Sequence, residues 1–259
     1  MEGERLNQMK IKGYSERGVV NSLFYEISYA RNSTALLDQF ISLIEFPKYF
    51  QDFKVTGASI YIEPSFSDFG QGDVVLLIEN LYRKQSLFIE ADVKTASKKE
   101  WKIQDEFERF VEDIREFNYA SSRSTVYYAN LFVKLYYKQR MTEAMKRGGM
   151  EAVIEGVEFP ACFGKKKRKI GSNETVRRTA EELSGYLDDS FFVLLVPDLE
   201  NNLREFFNDI SFNLVPAGLQ EWDTGNWGYL TWEKVKEFCR RNRMTDTLDN
   251  FDHNRGQID

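Results

Sequence analysis

Four ionisable residues lie close together in one stretch of the 259-residue chain. Asp73 heads the apolar run Val74-Val75-Leu76-Leu77-Ile78, and Glu90, Asp92 and Lys94 fall within Leu87-Phe88-Ile89-Glu90-Ala91-Asp92-Val93-Lys94. A divalent cation with a water nucleophile needs residues of this kind. Mg²⁺ takes oxygen ligands at short range and is commonly held by one or two carboxylates, keeping waters for the substrate. Asp73 and Asp92 can supply two carboxylates from neighbouring strands. Lys94 shares a strand face with Asp92 and can contact the attacking water or the phosphate charge that grows in the transition state. Glu90, one pleat back, is a further candidate ligand or a support for one, and the carbonyl of Val93 can also face a metal.

An acid-x-lysine tripeptide is a weak signal alone, and the chain has three: Asp52-Phe53-Lys54, Asp92-Val93-Lys94 and Glu100-Trp101-Lys102. Context separates them. Only the middle one lies inside a strand pattern and follows an acid-led strand at hairpin distance. Glu100 belongs to the capping box Ser97-Lys98-Lys99-Glu100, and Asp52 has no acid-led strand upstream.

The elements that must position these groups are readable from periodicity. Ser15 is expected to cap a helix bearing Val19, Val20, Leu23 and Ile27, and a second helix runs from about Thr34 to Ile44 before Pro47. Strands are expected over Lys54–Ile62, from Asp73 through Ile78, and over Leu87–Lys94. In the last of these, Leu87, Ile89, Ala91 and Val93 point one way and Phe88, Glu90, Asp92 and Lys94 the other. A helix with Ile103, Phe107, Phe110, Ile114 and Phe117 follows, then a helix over Ser124–Met145 stopped by Gly148-Gly149, and a strand over Val153–Phe159. Later come a helix with Val176, Ala180, Leu183 and Leu187, a central strand Phe191–Val196, and a helix with Leu199, Leu203, Phe206 and Ile210. A short strand Gly228–Leu230 and a helix capped by Thr231 follow, and residues 243–259 are expected to be a mobile tail.

Asp73 in Gly70-Gln71-Gly72-Asp73-Val74-Val75 and the Asp92-Val93-Lys94 strand make the chain similar to the PD-(D/E)XK nuclease superfamily. The resemblance implies a restriction-endonuclease-like α/β fold: an α-β-β-β-α-β core with a mixed central sheet flanked by helices, plus helical insertions. It implies a single nuclease-like domain over residues 1–242, with core 15–118 and 186–242 and an insertion at about 120–185. It also implies a Mg²⁺ or Mn²⁺ site that hydrolyses phosphodiesters. Many members place a Glu on the first helix beside the metal, and Glu26 at the edge of the Val19/Leu23 stripe looks like it. Some carry a Gln on the helix after the lysine strand, and Gln104 is similar. The metal ligands implied are therefore Asp73, Asp92, Glu26 and Glu90, with Lys94 and Gln104 acting on water or phosphate. The sequence departs from the family pattern in three ways. No proline precedes Asp73, an Asp stands where Glu is commoner in the tripeptide, and Asp68 competes with Asp73 as the first-strand acid.

Composition bounds the alternatives. A single histidine, His253, leaves no His-rich zinc cage and no paired-histidine acid/base site, so catalysis must run on carboxylates, lysine or hydroxyls. Two cysteines, Cys162 and Cys239, are too few for a disulfide framework, and the apolar run Phe191–Val196 is far short of the ~20 residues of a membrane span. No signal peptide pattern opens the chain, which points to a cytoplasmic protein with no membrane partner. The net charge of −6 argues against non-specific coating of nucleic acid, yet Lys165, Lys166, Lys167, Arg168 and Lys169 form a local basic loop suited to phosphates. Nucleic acid, DNA before RNA, is the expected partner, and a homodimer is compatible with it. Two rival readings remain: an inactive nucleic-acid-binding or protein-interaction module on the same fold, and a carboxylate-pair hydrolase, which gives the strand lysine no role.

Overall fold

The computed structural model describes residues 12–47, 54–92, 102–117, 130–155, 169–197, 203–209, 224–256 and 258. The chain opens with helices α1 (Ser15–Tyr29) and α2 (Ser33–Ile41), then strands β1 (Gly57–Ile62), β2 (Val74–Glu79) and β3 (Lys84–Ala91). Helices α3 (Ile103–Phe117), α4 (Leu131–Gly148), α5 (Glu151–Ile154) and α6 (Glu174–Ser184) precede β4 (Asp189–Val196). Helix α7 (Leu203–Asp209), strand β5 (Trp227–Thr231) and helices α8 (Trp232–Arg241) and α9 (Thr245–His253) complete the order.

All five strands form one mixed sheet in sequence order. β2 is antiparallel to β1 and to β3, whereas β3, β4 and β5 run parallel. A tight turn builds the β2–β3 hairpin: the Asn80 side-chain oxygen accepts the N–H groups of Tyr82 (2.9 Å) and Arg83 (2.8 Å), the local bond that makes Asn a turn former. The parallel joins need long crossovers, and these carry α3 to α6 and α7.

Alternation along the strands divides the core into two layers. Val75, Leu77, Phe88, Phe192, Leu194 and Trp227 face α3, α4, α6 and α7. Val74, Leu76, Leu87, Ile89, Val193 and Leu195 face α1, α2, α8 and α9. Strands apolar on both faces are what a sheet covered by helices requires, and each large side chain buried contributes about 1.5–3 kcal/mol. The expected split of β3, with Phe88 and Glu90 opposite Leu87, Ile89 and Ala91, is therefore present. Trp227 stacks on Phe132 and donates its indole N–H to Gln139 at 2.7 Å, so its polar edge is satisfied within the core.

The expected strands and helices are largely present with shifted ends, and three expectations change. Ser15 does not cap α1, because Tyr14 holds the cap position without a side-chain bond. The free N–H groups there are taken by the C-terminal helix instead: Asn250 accepts from Gly13 and Asn254 from Ser15, each at 2.7 Å. Second, Val153 belongs to the short helix α5, not to a strand; its N–H and that of Ile154 both reach the Met150 carbonyl at 3.1 Å. The rest of that expected strand, 156–159, lies outside the described residues, as does the capping box at 97–100. Third, most of the expected tail is α9 and its flanks, where Met244 and Phe251 are buried against the α1 layer. Cys239 is a buried free thiol, held to about 12 by burial and then by the charge of Glu26, in keeping with its reading as a small core residue. Cys162 lies outside the described residues.

Candidate active site

The acids gather where β2 begins and β3 ends. Asp73 directly precedes β2, and continuing the ladder past Val74↔Ile89 sets it opposite Glu90. Its Oδ2 accepts the Ala91 N–H at 2.9 Å, so the carboxylate is fastened to β3 by backbone. Asp73 is thus joined to β3. Asp68 is buried in the turn Ser67–Phe69, part of the loop that leads into β2. Gly70 in that loop has φ +88°, a conformation open to glycine, and a side chain there would press on Lys138 Nζ.

Asp92 prolongs β3 by one residue. Its N–H bonds to the Leu195 carbonyl at 3.0 Å, and its own carbonyl accepts the Trp232 indole N–H at 2.7 Å. The two-residue period puts its side chain on the face of Phe88 and Glu90. Lys94 lies outside the described residues, as does Val93.

Two lysines not singled out from the sequence complete the group. Lys134 and Lys138, one turn apart on α4, reach down onto the acids. Lys138 Nζ stands 3.0 Å from Glu90 Oε1 and donates to the Gln71 carbonyl at 2.7 Å. Lys134 Nζ stands 3.2 Å from Glu90 Oε2 and 3.4 Å from Asp73 Oδ2. Lys138 and Glu90 are 0% and 1% exposed, whereas Lys134 keeps 21% of its side chain open to solvent. Burial pushes Glu90 up, outweighing the nearby lysine charges, and pushes Lys138 down. Burial would depress Lys134 as well, but the charges of Glu90 and Asp73 outweigh it and hold it above the ordinary lysine range. The sequence signal for these residues is the i, i+4 pair inside Leu131-Phe132-Val133-Lys134-Leu135-Tyr136-Tyr137-Lys138, an otherwise apolar stretch.

Of the other expected site residues, Glu26 is placed elsewhere. Glu26 lies on α1, in the layer across the sheet from α4, where its carboxylate accepts the N–H groups of Thr247 (2.9 Å) and Asp246 (3.3 Å) and the Thr247 hydroxyl (2.6 Å). It thus caps α9 from another helix, since Met244 at the cap position has no side-chain oxygen to do so. Gln104 is exposed on α3 and donates to Glu108 one turn on, at 3.0 Å. Of the basic run, Lys165, Lys166, Lys167 and Arg168 lie outside the described residues, and Lys169 pairs with Glu155.

The donor set suits a hard cation. Both Glu90 oxygens are buried beside Asp73 and meet only the lysines, Oε1 at 3.0 Å from Lys138 and Oε2 at 3.2 Å from Lys134. Among the described residues no three His, Cys, Asp or Glu side chains converge into a metal cage. Mg²⁺ can be held by one or two carboxylates with retained water, and Asp73 and Glu90 are the two acids such a site would use.

No family model, curated protein or solved structure matches the chain. What is established is an α/β fold with helices on both faces of one five-stranded mixed sheet. Among the described residues no helix is long and apolar enough to cross a membrane.

Proposed function

We infer that the protein is a metal-dependent phosphodiester hydrolase of restriction-endonuclease-like architecture acting on nucleic acid, DNA in preference to RNA. The observation that carries the reading is the placement of Asp73 opposite Glu90 at one end of the β2–β3 ladder, with Asp92 two residues on along the same strand, within an α-β-β-β-α-β order. Asp73 and Glu90 would hold Mg²⁺ or Mn²⁺, with Asp92 as the next acid along β3. Bound there, the ion would lower the pKa of a coordinated water and take up charge on the phosphoryl oxygens. The Ala91 N–H fixes the Asp73 carboxylate in advance of substrate, and the Trp232 indole holds the backbone at Asp92. Lys94, two residues beyond Asp92, is assigned to the attacking water or the phosphate. Glu26 takes no part in this reading, because its carboxylate caps α9.

Asp92→Ala and Lys94→Ala test it: each is expected to abolish Mg²⁺-dependent cleavage of DNA with the circular dichroism spectrum unchanged. Cleavage retained in both variants would sink the reading. A second reading, an inactive binding module on the same scaffold, is favoured by one observation: Lys134 and Lys138 already neutralise Glu90 and Asp73. Calorimetric titration with Mn²⁺ separates the two, since the module would bind none.

A further inference from the structure

The lysine that touches both central acids comes from helix α4, not from the strand, and its two contacts resemble those of a bound cation. Lys134 Nζ lies between Asp73 Oδ2 and Glu90 Oε2, at 3.4 and 3.2 Å. Its neighbour differs in mobility. Lys138 is wholly buried and fastened to the Gln71 carbonyl, so it can only stay. Lys134 has no such backbone anchor in the described contacts and is partly open to solvent, so its flexible stem can carry the ammonium outward.

We propose that Lys134 is a tethered counter-ion that competes with a divalent cation for Asp73 and Glu90. Metal entry displaces it outward toward solvent, where it becomes a cation available to the substrate phosphate. The proposal rests on the metal-dependent reading and adds to it a residue and an order of events. Its physical basis is charge. Asp73 and Glu90 already lie against two lysine ammonium positions, and a cation of charge +2 placed about 4 Å from Lys134 meets strong repulsion at the dielectric of a partly buried site. The removable lysine yields, while the buried one keeps Glu90 from standing uncompensated.

The test uses the full chain and Mn²⁺ alone, without nucleic acid. Lys134→Met is expected to bind Mn²⁺ at least about tenfold more tightly than the unmodified protein, and Lys134→Arg no more tightly than it. On the unmodified protein, reductive methylation of Lys134, located by peptide mass mapping, is expected to rise on adding Mn²⁺ while Lys138 stays unlabelled. That second measurement needs no variant to fold. Equal or weaker Mn²⁺ binding by a folded Lys134→Met, or labelling of Lys134 unchanged by bound Mn²⁺, overturns the proposal while leaving the metal-dependent reading standing. Absence of Mn²⁺ binding in both proteins overturns both together.

Discussion

The carboxylate of Glu26 on α1 caps α9, more than two hundred residues away in the chain, by accepting the Thr247 N–H at 2.9 Å and the Thr247 hydroxyl at 2.6 Å. An acid suited by its position to a metal site is thus occupied in tying the C-terminal helix to the first one. Asn250 and Asn254 return the favour by accepting the N–H groups of Gly13 and Ser15.

Glu26→Ala is therefore expected to act on stability and not on chemistry. Loss of the α9 cap costs about 1 kcal/mol, read as a lower urea midpoint. The rate of any Mg²⁺-dependent cleavage should stay within about twofold of the unmodified protein. A large loss of rate with an unchanged midpoint would return Glu26 to the site.

Lys138→Met leaves Glu90 buried beside one lysine instead of two. Breaking a buried ion pair from one side costs about 3–5 kcal/mol, so the variant should unfold at markedly lower urea. Adding Glu90→Gln to it should restore part of that loss, because no uncompensated charge then remains buried. An additive double variant would show that the two groups do not interact.

Glu45 makes stability depend on acid. Burial alone would raise this carboxyl, but hydrogen bonds from Lys234 and Tyr229, with the charges of Lys234 and Arg204, outweigh burial and hold it below the ordinary carboxylate range. A group depressed in the folded state stabilises above its unfolded pKa and loses that contribution as pH falls through the folded value. Stability should thus decline below about pH 4.5, and less steeply in Glu45→Gln. Urea midpoints across pH 3–6 read the difference, and identical slopes would contradict it.

Much of the sheet was legible because strands covered on both faces leave continuous apolar runs, as in Val74–Ile78 and Phe191–Val196. The face assignment of Glu90 followed from the period of two alone. What stayed hidden was what depends on distant partners. Lys134 and Lys138 read as ordinary helix charges until β3 is placed beneath α4, and Asn250 and Asn254 read as a polar tail until α1 offers them free N–H groups. Glu26 shows the converse: a helix-edge position suited to a ligand says nothing of which helix end will reach it first.

Asp73 and the β3 acids are proposed as a divalent-metal site for phosphodiester hydrolysis. The most direct measurement is cleavage of end-labelled single- and double-stranded DNA, and of RNA, by the purified chain before and after chelation and on re-addition of Mg²⁺ or Mn²⁺, with Asp73→Asn alongside. Cleavage is expected to stop on chelation, return with the metal, and fall by about a hundredfold or more in Asp73→Asn. A chain that cleaves none of these substrates in either metal, or an Asp73→Asn variant that cleaves at the unmodified rate, would contradict this assignment.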